Sequence, residues 1–328
     1  MEFLYIFAYV MALFIVLITT VVFSPRSLQR SLVVLAMRFT VPTPAKDMPW
    51  KLKVLPHGPL EVVASNVWTV EGSLPPNGPR LKRKMVIHRP IGTTALWIHS
   101  PVCVNEETLA QIKGKIIFFF YFNTLGKVQW IVVPNFSHRL DAFAWSQEFP
   151  DAQIVCPRGS LTGIKSAVDI AKSCEEVFTA FSMDNDFKNT SEVQYIAPKG
   201  FYSDDANPME LGYLLKHSIT QGRASAYSLV FCDAYFNLDP KSSDVDPALV
   251  TLGSVCGFSC TTIGRFLMVK NKRRAREWAE IELAAIAEGL NVVHISVAHG
   301  VDLVSRNCDE IVGAIRNSAR SFEEPLSL

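Results

Sequence analysis

The chain has 328 residues, of which 49% are hydrophobic, enough for one large α/β domain or two smaller ones with a buried core. Its 32 lysines and arginines balance 31 aspartates and glutamates, and the net charge of +1 argues against a nucleic-acid-binding protein, which usually has a basic excess. The seven cysteines are an odd number without tight pairs, which argues against a disulfide framework and favours a reducing compartment.

Residues 3–23 form an uncharged apolar stretch about as long as a helix that crosses a membrane. A cleaved signal peptide is the alternative, but it usually has a basic start and a small-residue cleavage site, whereas this chain begins with Met1-Glu2. We therefore predict that residues 1–25 form a single-pass transmembrane anchor. More lysines and arginines follow this stretch than precede it, which places the large domain on the cytosolic or matrix side. The mitochondrial inner membrane is our first expectation for its location.

Residues 26–58 are predicted to connect this anchor to the folded part of the chain. Residues 27–39 combine apolar side chains with Arg30 and Arg38, so they could form an amphipathic helix at the membrane surface, continue the anchor, or pack on the domain. Pro42, Pro44 and Pro49 then make a stiff connector. Residues 59–328 are expected to form the α/β domain.

The first part of this domain is predicted to alternate strands and helices. Residues 60–70 are typical of a strand or a strand pair, and residues 85–88 and 95–99 of a hairpin. Residues 105–112 are predicted to form a helix capped by Asn105, and the strongly apolar residues 115–122 a central strand.

A strand, a loop, a helix and a second strand are predicted between residues 128 and 159. The β-branched run 128–133 indicates a buried strand, the helix follows around Phe143, and residues 153–156 form the second strand. Ligands tend to bind at the loop that leaves the carboxyl end of a strand. Here this loop contains five candidate site residues: Asn135, Ser137, His138, Arg139 and Asp141.

The second part of the domain repeats this alternation. Residues 165–181 are predicted to form a helix, 247–290 a long helical region that ends near Gly289, and 309–318 a closing helix. Strands are predicted at residues 193–197, 211–217, 226–234 and 291–298. The pattern indicates mixed α/β layers, and a division near residue 185 suits the two half-sheets of an αββα sandwich.

Several stretches carry a family resemblance. PNFSHRLDAFAW and FPDAQIVCPRG, with WTVEGSL and VIHRPIGTTALWIHSPV upstream and SLVFCDAYFNL and HISVAHGVD downstream, resemble domain-of-unknown-function family 4336. Members of this family look like distant relatives of the metallo-β-lactamase fold. The resemblance covers most of residues 66–302 and implies an αββα sandwich of that type, preceded here by the transmembrane helix.

The resemblance also implies where metal ligands would lie. Active hydrolases of this fold carry a His-x-His-x-Asp-His run after a core strand, because a metal pair needs converging nitrogen and oxygen donors. The corresponding positions here look like Asn135, Ser137, Arg139 and Leu140. None of these is a strong zinc ligand, and Arg139 would put a positive charge where a metal ion should bind. The departure argues against a two-metal mechanism.

Other positions keep the chemistry of a metal site. Asp233 resembles the bridging carboxylate of the fold and His299 its final histidine, while His138 lies one residue from a motif position. His217 could match a histidine on the neighbouring strand, and Asp141 adds an oxygen donor. Such groups could hold one zinc or iron ion, with His138, Asp233 and His299 as the ligands.

The alternative is that each of these residues has an ordinary structural role. His138 would then cap its helix, Asp233 would bind backbone amides, and His299 would be held in a turn by Gly300. In that case no cofactor is expected.

Two further features have plain structural interpretations. Cys232 could be a thiol nucleophile next to Asp233, but without a nearby base it is more typical of a buried cysteine. The basic run KNKRRAR from Lys270 to Arg276 is typical of a solvated helix face, and contact with acidic lipid headgroups or an acidic partner is the second interpretation.

Three functions follow from these observations. The first is a membrane-anchored, catalytically degenerate domain that serves as an accessory or scaffolding subunit of a larger membrane complex, with a mitochondrial respiratory assembly as an example. The second is a hydrolase that uses a single zinc or iron ion. The third is a module that binds a small apolar molecule or a lipid without chemistry.

Overall fold

The computed structural model describes residues 48–75, 81–113, 125–182, 193–201, 207–218, 225–239, 241–242, 245, 247 and 257–323. The predicted anchor 1–25, the amphipathic segment 27–39 and the central strand 115–122 lie outside these ranges. Within them, every helix is too short or too polar to span a bilayer.

The described chain alternates strands with short helices, as the sequence predicts. Its strands are β1 Glu61–Ala64, β2 Val67–Ser73, β3 Lys82–His88, β4 Ala95–His99, β5 Lys127–Val132, β6 Gln153–Cys156, β7 Lys172–Ser173, β8 Thr179–Ala180, β9 Val193–Ile196, β10 Gly212–Lys216, β11 Tyr227–Val230, β12 Phe236–Leu238, β13 Gly257–Ser259, β14 Val292–Ser296 and β15 Leu303–Val304. Its α-helices are α1 Trp50–Lys53, α2 Glu106–Lys113, α3 Ala142–Glu148, α4 Leu161–Lys165, α5 Thr262–Met268, α6 Lys272–Glu277, α7 Ala284–Gly289 and α8 Cys308–Ser318.

The strands form two large sheets and one small hairpin. The first sheet has the order β1-β2-β3-β4-β5-β6-β7, antiparallel as far as β4 and parallel from β4 to β7. The second has the order β15-β14-β11-β10-β9-β8, in which β11 runs parallel to β14. Strands β12 and β13 pair with each other. The parallel pairs bring the carboxyl ends of neighbouring strands to the same edge, where the polar loops of the sequence lie.

Buried side chains divide the domain into four layers. Alternate residues of β4 point to opposite faces: Trp97 belongs to a core shared with Tyr213 of the second sheet, whereas Ile98 packs in a separate core with Trp145 of α3. A third core lies on the far side of the second sheet, where Leu229 packs with residues of α7 and α8. Three cores between four layers define an αββα sandwich, and the predicted mixed α/β class is confirmed.

Two of the predicted helices are wrong. A helix is predicted at 165–181, but the observed helix α4 already ends at Lys165. The residues after it extend both sheets, because β7 pairs with β6 and β8 pairs with β9. The helical region predicted at 247–290 contains strand β13 and is interrupted at Asn271, whose side chain accepts a hydrogen bond from Arg274 N and starts α6. Pairing with a neighbouring strand overrides a turn-like spacing of apolar residues in both places.

Candidate metal site

The loop after β5 is shaped by Asn135. Its Oδ1 accepts hydrogen bonds from the backbone N–H groups of Ser137, at 2.9 Å, and His138, at 3.2 Å, so Asn135 caps the 3₁₀ turn Phe136–His138. The cap fixes the direction in which the His138 ring leaves the turn. His138 itself does not cap a helix, which corrects the structural role considered for it.

A buried glutamate that the sequence did not single out shapes the loop after β11. Oε1 of Glu210 accepts hydrogen bonds from the N–H groups of Cys232, at 3.0 Å, and Ala234, at 2.8 Å, while Oε2 accepts one from Asp233 N at 2.9 Å. Three successive backbone donors are thereby satisfied by one carboxylate, and the Asp233 side chain is left free to point away from them. Glu210, and not Asp233, therefore binds the backbone amides of this loop, which was the structural role considered for Asp233.

The loop after β14 presents His299 through a glycine turn. Gly300 has a φ of 107° and lies so close to the Asn237 carbonyl that a Cβ atom would overlap it, so a larger residue does not fit there. His299 Nδ1 lies 2.6 Å from the carbonyl oxygen of Lys82, at the start of β3. Because a carbonyl only accepts, this nitrogen carries a hydrogen and Nε2 is the atom available to a ligand.

His138, Asp233 and His299, which we call the metal cluster, meet at one oxygen atom. Asp233 Oδ1 lies 3.2 Å from His138 Nε2 and 3.3 Å from His299 Nε2, and the three donor atoms lie within 4.8 Å of one another. His138 Nδ1 bonds to Ser100 Oγ at 3.0 Å, so both rings are held through the nitrogen remote from Asp233. Such outer hydrogen bonds are typical of histidines that bind a metal.

Burial and charge set the protonation of the metal cluster. Burial acts to raise the pKa of Asp233, but the charges and hydrogen bonds of His138 and His299 outweigh it and hold that pKa well below its usual value. Burial lowers the pKa of His138, against the opposing effect of Asp233. An ionised carboxylate and a neutral imidazole are the forms that metal binding requires.

The residues present fit one divalent ion. When His299 is neutral, the lone pair of its Nε2 faces the ionised Asp233 carboxylate, which is unfavourable unless a proton or a cation lies between them. Two histidines and one carboxylate with room for a water are a known zinc set, and the same set suits non-haem iron. Asp233 gives the cluster its opening, since its side chain is 20% exposed while those of His138 and His299 are 6% and 7% exposed.

The other predicted site residues lie elsewhere. Arg139 does not place a charge at the metal position, because its guanidinium turns away to Gly163 O, at 2.8 Å, and Ser166 Oγ, at 3.1 Å. Asp141 pairs with Arg83 at 2.6 Å and accepts a hydrogen bond from Cys103 N, so it is no metal donor.

Ser137 and His217 also lie outside the metal cluster. Ser137 contributes its backbone N–H to the Asn135 cap. His217 does not reach Asp233 but bonds to Ser228 Oγ at 2.7 Å, because β10 runs antiparallel to β11 and carries His217 to the amino end of β11, away from Asp233.

His217 is part of a second polar cluster, which we call the buried relay: His217, Ser228, His294 and Asp302. Ser228 Oγ also lies 2.8 Å from His294 Nδ1, and His294 Nε2 lies 3.2 Å from Asp302 Oδ2. Asp302 Oδ1 accepts from Lys84 Nζ at 2.6 Å. Ser228 is 0% and His294 1% exposed, so the centre of the buried relay lies in the core.

Sequence reasoning missed the supports of the metal cluster. Ser100 follows β4 and has a φ of 54°, a conformation that a serine rarely adopts. Nothing in the sequence marks it, since its contact with His138 depends on how β4 and β5 align. Glu210 could have been noticed only by its position, because it is a single acidic residue directly before an apolar strand.

No protein-family model and no curated protein matches the sequence. Similar solved structures include a metallo-β-lactamase from Pontibacter korlensis (11% identity, TM-score 0.43, 79% of this chain and 98% of that chain covered). A metallo-β-lactamase from Pseudomonas aeruginosa in its mono-zinc form gives 10% identity, a TM-score of 0.46, and coverages of 83% and 99%. A fragment of a putative diflavin flavoprotein from Nostoc has 11% identity and a TM-score of 0.46, with 80% of this chain and 97% of that chain covered. The chemistry must therefore be argued from the residues of this chain, and membership of family 4336 stays a prediction.

Proposed function

We propose that this protein binds one zinc or iron ion through His138 Nε2, Asp233 Oδ1 and His299 Nε2 and acts as a metal-dependent hydrolase. The observation that carries the proposal is the convergence of two imidazole nitrogens on one carboxylate oxygen, while the second nitrogen of each ring is held by the protein.

The bound ion would act as a Lewis acid and lower the pKa of a water molecule. The residues of this chain supply the rest. Ser100 and the Lys82 carbonyl orient the two rings, and Asn135 Nδ2 donates to Asp233 Oδ2 at 2.9 Å, which leaves Oδ1 for the ion. A substrate would approach the ion from the side of Asp233, since part of that side chain is exposed.

Metal analysis of the full-length protein, purified in mild detergent, tests this proposal. We expect about one equivalent of zinc or iron in the wild type and none in His299→Ala. His57→Ala is the matched control, since His57 lies outside the metal cluster and bonds to Gly58 O and Asn105 N. A fully folded wild-type protein that binds neither zinc nor iron when either is added would contradict the proposal.

A second candidate is the catalytically degenerate accessory subunit of a membrane complex. It is favoured by the distances of 3.2 and 3.3 Å, which are hydrogen-bond lengths, so the three side chains could satisfy one another without an ion. The apolar stretch at residues 3–23 supports membrane anchoring. Native purification in mild detergent distinguishes the two candidates, because a subunit of a respiratory or other membrane assembly migrates with its partners.

The basic run Lys270 to Arg276 is more consistent with a solvated helix face than with a lipid site. Arg274 pairs with Glu282 at 2.8 Å, and Arg276 pairs with Glu323 at 2.7 Å. These glutamates offset much of the positive charge that would attract acidic headgroups. Contact with acidic lipids stays a prediction, and binding to phosphatidylserine vesicles would test it.

A further inference from the structure

A second set of possible ligands lies next to the metal cluster and shares Asp233 with it. Glu210, Cys232 and Asp233 bring one donor atom each to within 4.8 Å of one another. Glu210 is 3% and Cys232 0% exposed, so these groups meet in the protein interior. Two carboxylates placed this close repel each other unless something positive lies between them.

The side-chain amide of Asn135 lies between these three groups. Its Nδ2 is 2.9 Å from Asp233 Oδ2, 3.1 Å from Glu210 Oε2 and 3.7 Å from Cys232 Sγ. An amide nitrogen has two hydrogens, so it can donate to both carboxylates while it faces the sulfur. The polar hydrogens of one neutral group thus take the position that a cation would take among the same donors.

Asn135 is held firmly in this position. Its Oδ1 accepts the two N–H groups of the 3₁₀ turn, which also fixes which end of the amide is nitrogen and which is oxygen. The residue is 5% exposed. The amide therefore cannot rotate away without breaking both caps.

We propose that Asn135 limits this site to one metal ion, because its amide group occupies the space between Glu210, Cys232 and Asp233 that a second ion would need. That the site holds one ion rests on the proposed function. That Asn135 excludes an ion from the space between Glu210, Cys232 and Asp233 does not, since His138 and His299 are not ligands there.

The chemistry of the donors defines the ion that is kept out. Two carboxylate oxygens and a thiolate sulfur suit zinc or cadmium, whereas magnesium and calcium prefer oxygen alone. Binding would require Cys232 to lose its proton to solvent.

Asn135→Asp is the sharpest test, because aspartate has the same shape, keeps the oxygen that caps the turn, and replaces the blocking donor by an acceptor. Asn135→Ser removes the amide and keeps a capping oxygen. The control is Ser137→Ala, in the same turn, since Ser137 uses its backbone N–H there. Each full-length protein is dialysed against zinc chloride and its zinc content is measured by elemental analysis and native mass spectrometry.

We expect at least one of the two Asn135 variants to bind one equivalent of zinc more than the wild type, and the control to match the wild type. Adding Cys232→Ala should abolish the extra equivalent. If a variant unfolds without metal, zinc should restore its folding. The proposal is overturned if neither variant gains an equivalent, including the case in which zinc restores the folding of neither. A wild type without metal would contradict the proposed function alone, provided a variant still gains one equivalent.

Discussion

Two polar clusters lie along the same pair of parallel strands and behave as opposites. Ser228 of β11 is in register with His294 of β14, and the buried relay is built on this pair. Asp233 and His299 follow the same two strands by an equal number of residues, and the metal cluster is built on them. The two clusters thus share their strands, and both consist mainly of histidine and aspartate.

The difference between the clusters lies in how their donors are arranged. In the buried relay the contacts form a line, in which Ser228 Oγ lies between His217 Nε2 and His294 Nδ1 and can accept from one ring and donate to the other. In the metal cluster two nitrogens compete for Asp233 Oδ1. In the line each contact joins one atom to the next, whereas in the convergent set one carboxylate oxygen faces two ring nitrogens, the arrangement that a single bound ion would join. This convergence, and not burial, is the reason to propose a metal at His138, Asp233 and His299.

Replacing the aspartate of each cluster should distinguish the two clusters most clearly. Asp233→Asn removes the charged ligand, so we expect zinc affinity to fall by more than about 100-fold, beyond the range seen when only outer contacts are lost. Asp302→Asn, the matched change in the buried relay, should leave zinc affinity within about twofold, since it contacts no ligand atom of the metal cluster. Competition with a chromogenic chelator measures both, and equal losses would refute the distinction.

Weakening an outer contact of the metal cluster should have a smaller effect on the same measurement. Ser100→Ala removes the bond that orients His138, and we expect zinc affinity to fall by about tenfold. The free energy of unfolding should fall by about 1 kcal/mol, the usual net contribution of one hydrogen bond. Unchanged zinc affinity in Ser100→Ala would mean that the turn alone orients His138.

The buried relay should respond in stability and not in metal binding. Ser228→Ala leaves His217 Nε2 and His294 Nδ1 without a partner in the core, and we expect the free energy of unfolding to fall by about 2 kcal/mol. Urea unfolding followed by tryptophan fluorescence measures it. Ser259→Ala, on a strand of the small hairpin, is a control outside the buried relay. A loss of zinc in Ser228→Ala would show that the two clusters are coupled.

The sequence predicts those parts of the site that follow apolar strands directly. His138, Asp233 and His299 could be expected to lie together because each lies just beyond a recognisable strand, and the carboxyl ends of parallel strands meet at one edge. Glu210, Ser100 and the Lys82 carbonyl could not be found, since each acts on a residue far away in the chain, at a distance set by how the strands and sheets align.

Errors of the sequence predictions have the same origin. Spacing placed Arg139 at a motif position and His217 on a neighbouring strand, but the direction of a side chain in a loop, or its level along a strand, decides what it touches. Arg139 turns to Gly163, and His217 turns to Ser228. The helix predicted at 165–181 failed similarly, because its residues pair with the edges of both sheets.

Acidification should reveal the buried relay by a small but specific effect. Burial, with the nearby His294 and His88, lowers the pKa of His217 to about 4, below its ordinary value of 6.5. The unfolded chain therefore takes up the proton first, so this contribution to stability is complete above pH 6.5 and is lost as the pH falls toward 4. Between pH 7 and 5.5 we expect His217 alone to account for a loss of about 1 kcal/mol in the free energy of unfolding. His217→Gln, which cannot titrate, should lose about that much less than the wild type over the same interval, measured by urea unfolding at both pH values. Identical losses in the two proteins would mean that His217 takes up its proton as readily in the folded state, and that the buried relay is open to water.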